Sequence, residues 1–178
     1  MSVAIRQLEA TDRLAYRRVR LNCLREFPDN FGSSYEEQSQ LAELPFEANL
    51  AVEASPSFLM GAFDGEQLVG ICAFVPETRA KTRHRGELHQ VYVSPVHAGR
   101  GVGRRLVQAT VEAAFARPGI EQITLGVIAG NEAANRLYQS LGFTEYGFLE
   151  NSLLVNGCYL PQRFMVLKRP SATTQAHS

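Results

Sequence analysis

The sequence has no excess of charge of either sign and no long apolar run. Its 18 basic and 18 acidic residues leave a formal net charge of +0, whereas a dedicated nucleic-acid binder carries a marked basic excess. No apolar segment approaches the ~20 residues that cross a bilayer. Polar residues also occupy the N-terminus where a signal peptide needs its apolar stretch. We therefore expect a protein that binds neither nucleic acid nor membrane.

Cysteine is scarce and scattered. Cys23, Cys72 and Cys158 are the three cysteines, and no CxxC pair occurs. This spacing indicates neither a zinc ribbon nor a redox pair, so we expect no metal site. An odd number of isolated thiols fits a reducing compartment, which predicts a cytoplasmic protein.

Hydrophobic periodicity divides the chain into alternating strands and helices. Alternation predicts strands near the N-terminus, on both sides of the Asp64-Gly65 turn, at "GELHQVYVSP", at "QITLGVI" and twice near the end. Helical spacing predicts helices from Thr11 or Asp12 to Glu26, weakly from Tyr35 to Ala54 with an interruption near Pro45, from Gly101 to Ala116, and over "NEAANRLYQSL". The order β, α, α, β, β, β, α, β, α, β, β predicts one α/β domain over residues 1–170. Residues 171–178 are predicted to form a disordered tail.

Three glycines alternate with other residues between a predicted strand and a predicted helix. Gly99, Gly101 and Gly103 stand in "VSPVHAGRGVGRRLV". Glycine lets a ligand approach the main chain closely, and a helix N-terminus offers free N–H groups at the positive end of its dipole. With the neighbouring arginines, the segment predicts an anion site. An ordinary glycine-rich turn with solvated arginines is the alternative.

The glycine spacing fits neither of the common nucleotide loops. A Walker loop ends in Gly-Lys-Ser or Gly-Lys-Thr, and GxGxxG fails because the third glycine comes one position early. A second segment, "NEAANRLYQSLGF", follows after the strand "ITLGVI". Both segments in this order resemble the GCN5-related N-acetyltransferase (GNAT) superfamily, over roughly Phe58 to Leu167.

This resemblance implies a fold, an activity and a co-substrate. The fold is an α/β (α+β) GNAT-like three-layer fold, with a mixed, mostly antiparallel sheet of six to seven strands and about four flanking helices. The activity is that of an acetyl-CoA-dependent N-acetyltransferase, an acyltransferase that moves acetyl from acetyl-CoA to a primary amine by direct attack in a ternary complex.

The resemblance also implies which residues bind acetyl-CoA. In the family, the main-chain amides of a [QR]-x-x-G-x-[GA] loop bind the pyrophosphate, and the matching segment begins at Ala98, where Gln or Arg is usual. Because main-chain donors do not depend on that side chain, we expect binding to persist. The preceding strand is expected to pair with the pantetheine arm and to polarise the thioester carbonyl with an amide. The implied residues are Val91, Tyr92, Val93, Ala98, Gly99, Arg100, Gly101, Val102, Gly103, Arg104, Asn131 and Tyr138.

Two of these residues have a structural alternative. Asn131 resembles a family position whose amide touches the cofactor, but it stands at a helix start and is equally suited to be an N-cap. Tyr138 resembles the family tyrosine near the CoA sulfur, so its catalytic role is that of general acid to the departing thiolate. Packing of its ring into the core is the alternative.

The amine needs a base, because a free alkylammonium has a pKa of about 10. Glu87 resembles the glutamate that some family members use, in some cases through water. Its alternatives are a surface carboxylate paired with Arg83 or Arg85, and His89 as the base instead. Strand alternation predicts one face bearing Glu87, His89, Val91 and Val93, and the opposite face bearing Gln90 and Tyr92.

The acceptor substrate is the part of the function that the sequence determines least. The stretch "REFPDNFGSSYEE" combines Phe27, Phe31 and Tyr35 with Glu36 and Glu37. It suits either recognition of a cationic amine or a solvated loop pinned by its aromatic side chains.

Gly126 stands where some N-terminal and ribosomal-protein acetyltransferases carry a glutamate, which disfavours that mechanism. We expect an amine-bearing small molecule or peptide as the acceptor. Homodimers are common in the family, so a homodimer is a further expectation that the sequence does not decide. Alternatives are a catalytically weak CoA-binding sensor module, or an acyltransferase with another acyl donor or a hydroxyl acceptor.

Overall fold

Seven strands form one sheet in the computed structural model, which describes residues 3–52 and 54–170. The strands are β1 (Ala4–Gln7), β2 (Phe58–Asp64), β3 (Gln67–Pro76), β4 (Arg85–Val93), β5 (Gln122–Ile128), β6 (Thr144–Val155) and β7 (Cys158–Lys168). Their order across the sheet is β1-β2-β3-β4-β5-β7-β6. Only β4 and β5 pair in parallel among the described strands, so the mixed, mostly antiparallel sheet is confirmed. The tail predicted at residues 171–178 lies outside the described residues.

Within the described residues, five α-helices accompany the sheet: α1 (Arg13–Glu26), α2 (Tyr35–Ser39), α3 (Pro45–Leu50), α4 (Val102–Phe115) and α5 (Glu132–Ser140). The weakly helical region predicted from Tyr35 to Ala54 forms two of them, which raises the number above the expected four. Pro45 begins α3, because proline lacks the N–H that a helix interior requires but suits a first turn. None of these helices within the described ranges has the length and apolarity to cross a membrane.

Helices cover both faces of the sheet, which confirms three layers. Tyr16 and Cys23 of α1 and Phe46 of α3 belong to one buried cluster with the sheet. Leu106 of α4 and Tyr138 of α5 belong to a second buried cluster on the opposite face. We call these the α1 face and the α4 face.

A bulge in β4 changes which side chains share a face. Gln90 has φ of 56°, and the register with β3 shifts between the pairs Ala73–His89 and Ile71–Tyr92. Val91 and Val93 therefore pack on the α4 face, whereas Tyr92 packs on the α1 face. Ala73, which pairs with His89, also packs on the α1 face. The predicted alternation was wrong on this point, because a bulge inserts one residue and reverses the pleat beyond it.

Strands β4 and β5 pair over only three residues. Arg85 pairs with Gln122, Gly86 with Ile123, and Glu87 with Thr124. Beyond Glu87 the two strands have no mutual pairs in the described chain, although each continues to pair with its other neighbour. The sheet therefore divides in its middle, at the last paired residue of β4.

Candidate active site

A cleft of about 740 Å³ opens where β4 and β5 separate. Its walls are the diverging segments of the two strands, residues 87–93 of β4 and 125–128 of β5. Residues of α1 and the loop after it line the cleft on the α1 face, and the glycine loop and α5 line it on the α4 face. The cleft thus crosses the sheet and can receive two molecules from opposite sides.

The glycine loop has the backbone conformation that an anion site requires. Gly99 and Gly101 have φ of 72° and 74°, in the left-handed region, and a Cβ at either position would meet no atom within 4 Å. Glycine is needed there for conformation rather than for space. Gly101 is the N-cap of α4, so the first-turn N–H groups of a 14-residue helix follow directly. The residues present therefore fit a diphosphate held by main-chain donors.

The three arginines after Gly99 are placed differently from one another. Arg100 is exposed in the loop itself. Arg104 donates from Nη1 to Oγ of Ser140 at 2.6 Å, at the end of α5, and Arg105 donates from Nη2 to the carbonyl of Val3 at 2.8 Å. Of these three, Arg100 is therefore the arginine whose side chain has no partner among the described residues and can approach a phosphate at the loop.

The predicted cofactor residues fall into two groups by position. Most of them line the cleft: Val91, Tyr92, Val93, Ala98, Gly99, Gly103, Asn131 and Tyr138. Four do not line it and lie in the loop or the first turn of α4: Arg100, Gly101, Val102 and Arg104. The side chain of Val102 is buried in the core, so only its main chain is available to a ligand. Contact with a cofactor stays a prediction for all twelve.

Asn131 caps α5 and also lines the cleft. Its Oδ1 accepts from the N–H of Ala134 at 3.1 Å, as the N-cap alternative predicts. Asn135, which the sequence did not mark as a site residue, lies one turn further along, and its Nδ2 donates to the carbonyls of Ile128 and Asn131 at 3.1 and 2.7 Å. These bonds fix the start of α5 against the end of β5, which sets the position of the next helical turn.

Tyr138 lies on that next turn and faces the cleft from the α4 face. The residue is only 5% exposed, and its ring packs edge-on against Phe143 with centroids 5.8 Å apart. Burial raises the pKa of the Tyr138 phenol above its ordinary value. The hydroxyl therefore keeps its proton at neutral pH, so the ring combines core packing with a proton donor in the cleft wall.

Glu87 and His89 form a pair at the point where the strands divide. Oε2 of Glu87 lies 3.5 Å from Nε2 of His89, and the two side chains are 47% and 41% exposed. Neither Arg83 nor Arg85 pairs with Glu87 among the described residues, so that alternative is not what the structure shows. A carboxylate beside an imidazole can accept and relay a proton.

The α1 face of the cleft is held by two buried phenols. Tyr16 donates to Oε1 of Gln90 at 2.9 Å, which fixes the bulge of β4 to α1. Tyr92 donates to Oε2 of Glu26 at 2.9 Å. Burial raises the pKa of Tyr16 to about 12, and burial together with Glu26 raises the pKa of Tyr92. Because Tyr92 faces α1, only its main chain can pair with a ligand lying between the strands.

The aromatic and acidic stretch after α1 divides into two parts. Phe27 and Phe31 line the cleft, whereas Glu36 and Glu37 are exposed on α2 and do not line it. Arg20, which was not among the residues predicted from the sequence, also lines the cleft. Its signal was a basic residue at helical spacing from the apolar Tyr16 and Leu24, on the buried side of α1.

The described residues contain no cluster of three or more His, Cys, Asp or Glu side chains arranged to hold a metal ion.

Comparisons with known proteins agree with this geometry. The profile of the Acetyltransferase (GNAT) family matches residues 20–143, more than half of the chain. N-alpha-acetyltransferase RimI of Mycobacterium tuberculosis is 36% identical over 105 residues, 58% of this chain and 63% of that protein. Spermidine N(1)-acetyltransferase of Vibrio cholerae is 33% identical over 76 residues, 43% of this chain and 44% of that protein. The matched segments thus span less than two thirds of either relative.

The same fold occurs among solved structures. The structure of yncA from Salmonella typhimurium, solved with its cofactor acetyl-CoA, superposes with a TM-score of 0.74 at 22% identity and covers 94% of both chains. This likeness confirms the predicted three-layer fold. GNAT acetyltransferases use acetyl-CoA as co-substrate, which is the cofactor that the sequence predicts. The extent of the family match shows that the chain belongs to the acetyltransferase (GNAT) family.

Proposed function

We propose that this chain is an N-acetyltransferase that moves acetyl from acetyl-CoA to a primary amine by direct attack in a ternary complex. The observation that carries the proposal is the gap between β4 and β5 beyond Glu87. Phosphate-binding geometry and a protonated tyrosine stand on its α4 face, and a carboxylate–imidazole pair stands on its α1 face. Such a gap aligns two substrates end to end, which can contribute on the order of 7–11 kcal/mol to catalysis.

Main-chain groups would hold the acetyl-CoA. The Gly99–Gly103 loop and the first turn of α4 present N–H donors for the pyrophosphate, with Arg100 beside them. The unpaired edge of β4, including Val91 and Val93, offers peptide groups to the pantetheine arm. One of these amides would polarise the thioester carbonyl. Ala98 leaves all of these donors in place.

Glu87 would accept the amine proton, directly or through a water molecule. It is half-exposed at the end of the β4–β5 ladder, where an amine entering from the α1 face would arrive. His89, at 3.5 Å, is placed either to relay that proton or to act as the base itself. Tyr138, held protonated by its burial, would donate its proton to the departing thiolate on the other face.

Two alternatives make different predictions for the same measurements. A CoA-binding sensor module would bind acetyl-CoA without acetylating any amine in a broad panel. An acyltransferase of another kind would prefer a longer acyl-CoA or a hydroxyl acceptor. The experiment is a thiol-release assay with acetyl-CoA against polyamines, amino acids, aminoglycosides and peptides, with calorimetric titration of CoA alongside. Tight CoA binding without thiol release on any amine would contradict the proposed function.

The cellular location and the oligomeric state are two further parts of the proposal. We propose a cytoplasmic location, supported by the three unpaired thiols, Cys23, Cys72 and Cys158. We also propose a homodimer, supported by the apolar side chains that the edge strand β6 and its hairpin partner β7 expose to solvent: Tyr146, Phe148, Leu149, Leu154 and Tyr159. Sedimentation equilibrium measures this directly, and a monomer at micromolar concentration would contradict it.

A further inference from the structure

Arg20 is a buried cation in the wall of the cleft. The residue is 3% exposed, lies on α1 and lines the cleft on the face that bears Glu87 and His89. Its Nε donates to Oε1 of Gln38 at 3.0 Å, and its Cζ lies 5.3 Å from the centroid of the Phe31 ring. The guanidinium group is therefore fixed in position by neutral neighbours.

No carboxylate balances this charge within residues 3–52 and 54–170. Nη1 has only Sγ of Cys23 as a weak acceptor at 3.8 Å, and no described residue accepts from Nη2. The nearby carboxylate of Glu47 is bound by Arg17 at 2.9 Å, and that of Glu26 accepts from Tyr92. A buried charge without an opposite charge is costly, so the free edge of this guanidinium is suited to an anion from outside the chain.

The cleft wall contains few charged residues. Arg20 is the one Arg or Lys among its lining residues in the described chain, and Glu87 is the one Asp or Glu. A polyamine carries several positive charges and would meet only one carboxylate here. An acceptor with one ammonium and one carboxylate would match both residues. One guanidinium balances the single negative charge of a carboxylate, which it can bind with two parallel N–H donors, whereas a phosphate dianion would keep one charge unbalanced.

We propose that Arg20 binds the carboxylate of the acceptor, so that the acceptor is an amino acid or another amine that also carries a carboxylate. This inference rests on the proposed acetyl transfer and narrows its substrate. The amine of such an acceptor would face Glu87 while its carboxylate is held by Arg20. Gln38 and Phe31 act as positioning residues for the guanidinium.

The experiment compares matched acceptors that differ only in the carboxylate. Free L-amino acids, the corresponding L-amino acid amides and spermidine are assayed by thiol release with acetyl-CoA on the full chain. For each amino acid that the chain acetylates, we expect kcat/KM to exceed that of the corresponding amide at least about tenfold. This is the effect of one charge-assisted contact. The amine of an amide is the less basic of the two and is therefore the more deprotonated at neutral pH, so the fraction of free amine cannot produce this preference.

Variants then attribute the preference to Arg20. We expect Arg20→Gln to bring the acid-to-amide ratio near one, mainly through KM, and Arg20→Lys to give an intermediate ratio because it loses the planar fork. Arg18→Gln removes the same charge from the exposed side of α1 and should leave the ratio unchanged. If Arg20 had only a structural role, Arg20→Gln would lower the melting temperature and the CoA affinity without changing the acid-to-amide ratio.

The outcomes separate this inference from the proposed function. Amides or spermidine acetylated as well as amino acids by the wild-type chain would overturn it, whether or not Arg20→Gln folds, and would leave the acetyltransferase proposal intact. An acid preference that persists in folded Arg20→Gln would also overturn it. Failure of every amine despite CoA binding would refute the proposed function and this inference with it.

Discussion

Oε2 of Glu87 and Nε2 of His89 lie 3.5 Å apart at the last rung of the β4–β5 ladder. The carboxylate and the imidazole are both half-exposed to the cleft, so either can take a proton from an incoming amine. The bulge at Gln90 follows directly and turns Val91 and Val93 to the opposite face. The side chains of the proposed proton acceptor and those of Val91 and Val93 therefore lie on opposite faces of one strand, and the peptide groups proposed to bind the thioester lie at the edge of that strand.

Replacing Glu87 by Gln tests which of the two groups is the base. We expect Glu87→Gln to lower kcat by about 10² to 10⁴, since a positioned base contributes on that order. His89→Gln should cause a smaller loss. The reverse pattern, read from kcat at saturating substrates, would assign the base to His89.

Replacing Tyr138 by Phe removes one hydroxyl from the cleft wall and keeps the ring that packs on Phe143. We expect kcat to fall by about 10² to 10⁴, since a positioned acid contributes on that order. Acetyl-CoA affinity in calorimetric titration should change little. Tyr146→Phe, on an exposed residue of β6, is the matched control. Equal turnover of the two variants at saturating substrates would remove Tyr138 from the mechanism.

The alkaline side of the pH profile tests the burial of Tyr138. An acid must be protonated, and burial raises the pKa of this phenol above the ordinary 10.0. We therefore expect kcat of the wild type to stay level from about pH 8 to pH 10. Any fall in this range should also be present in Tyr138→Phe. Initial rates corrected for uncatalysed acetyl-CoA hydrolysis measure this. A descending limb near pH 9 that the Phe variant lacks would mean that the phenol is solvated.

Two glycines of the loop should respond oppositely to alanine. Gly101 has φ of 74°, so Gly101→Ala should lower the free energy of unfolding by about 1–2 kcal/mol. Gly103 has ordinary helical geometry, and its added Cβ would lie 3.7 Å from Leu137 and Val93. Gly103→Ala should therefore be neutral or stabilising by about 0.5 kcal/mol. Urea unfolding without ligand measures both, and equal losses would contradict the assigned loop conformation.

Thiol labelling tests the layer packing. Burial raises the pKa of Cys23 to about 11 and that of Cys72 to about 12, whereas Cys158 is exposed at the start of β7. At about pH 8, Ellman's reagent should label one thiol of the folded chain and three after denaturation. Cys158→Ser should abolish the native label. Rapid labelling of two or more thiols would show that a covering helix is displaced.

Local patterns predicted the secondary structure on the α4 face of the cleft well. The glycine loop, α4 and α5 depend on short-range rules: positive φ, helix capping and helical spacing. The placement of Asn131 as a cap and the burial of Tyr138 follow from the same rules. The resemblance to a known family added roles that spacing alone does not give.

The α1 face of the cleft depends on tertiary contacts, and there the sequence was less informative. The regular pleat predicted Val91 beside His89, but the Tyr16–Gln90 hydrogen bond accompanies a bulge that no local pattern marks. Arg20 carries a charge on the buried side of α1, which appears unfavourable until Gln38 and Phe31 are packed against it. Both features bring together residues distant in sequence, so they could not be derived from single-element periodicity.

The interrupted ladder between β4 and β5 leaves the sheet of this chain one strand short beyond Glu87. Peptide groups that would saturate each other in a continuous sheet are instead kept for an outside molecule. Any ligand that pairs with the edges of both β4 and β5 completes the sheet. It also connects the two halves of the sheet, which few hydrogen bonds join directly. The peptide donors that bind the ligand then also stabilise the fold. The free energy of unfolding is therefore higher for the ligand-bound chain than for the free chain.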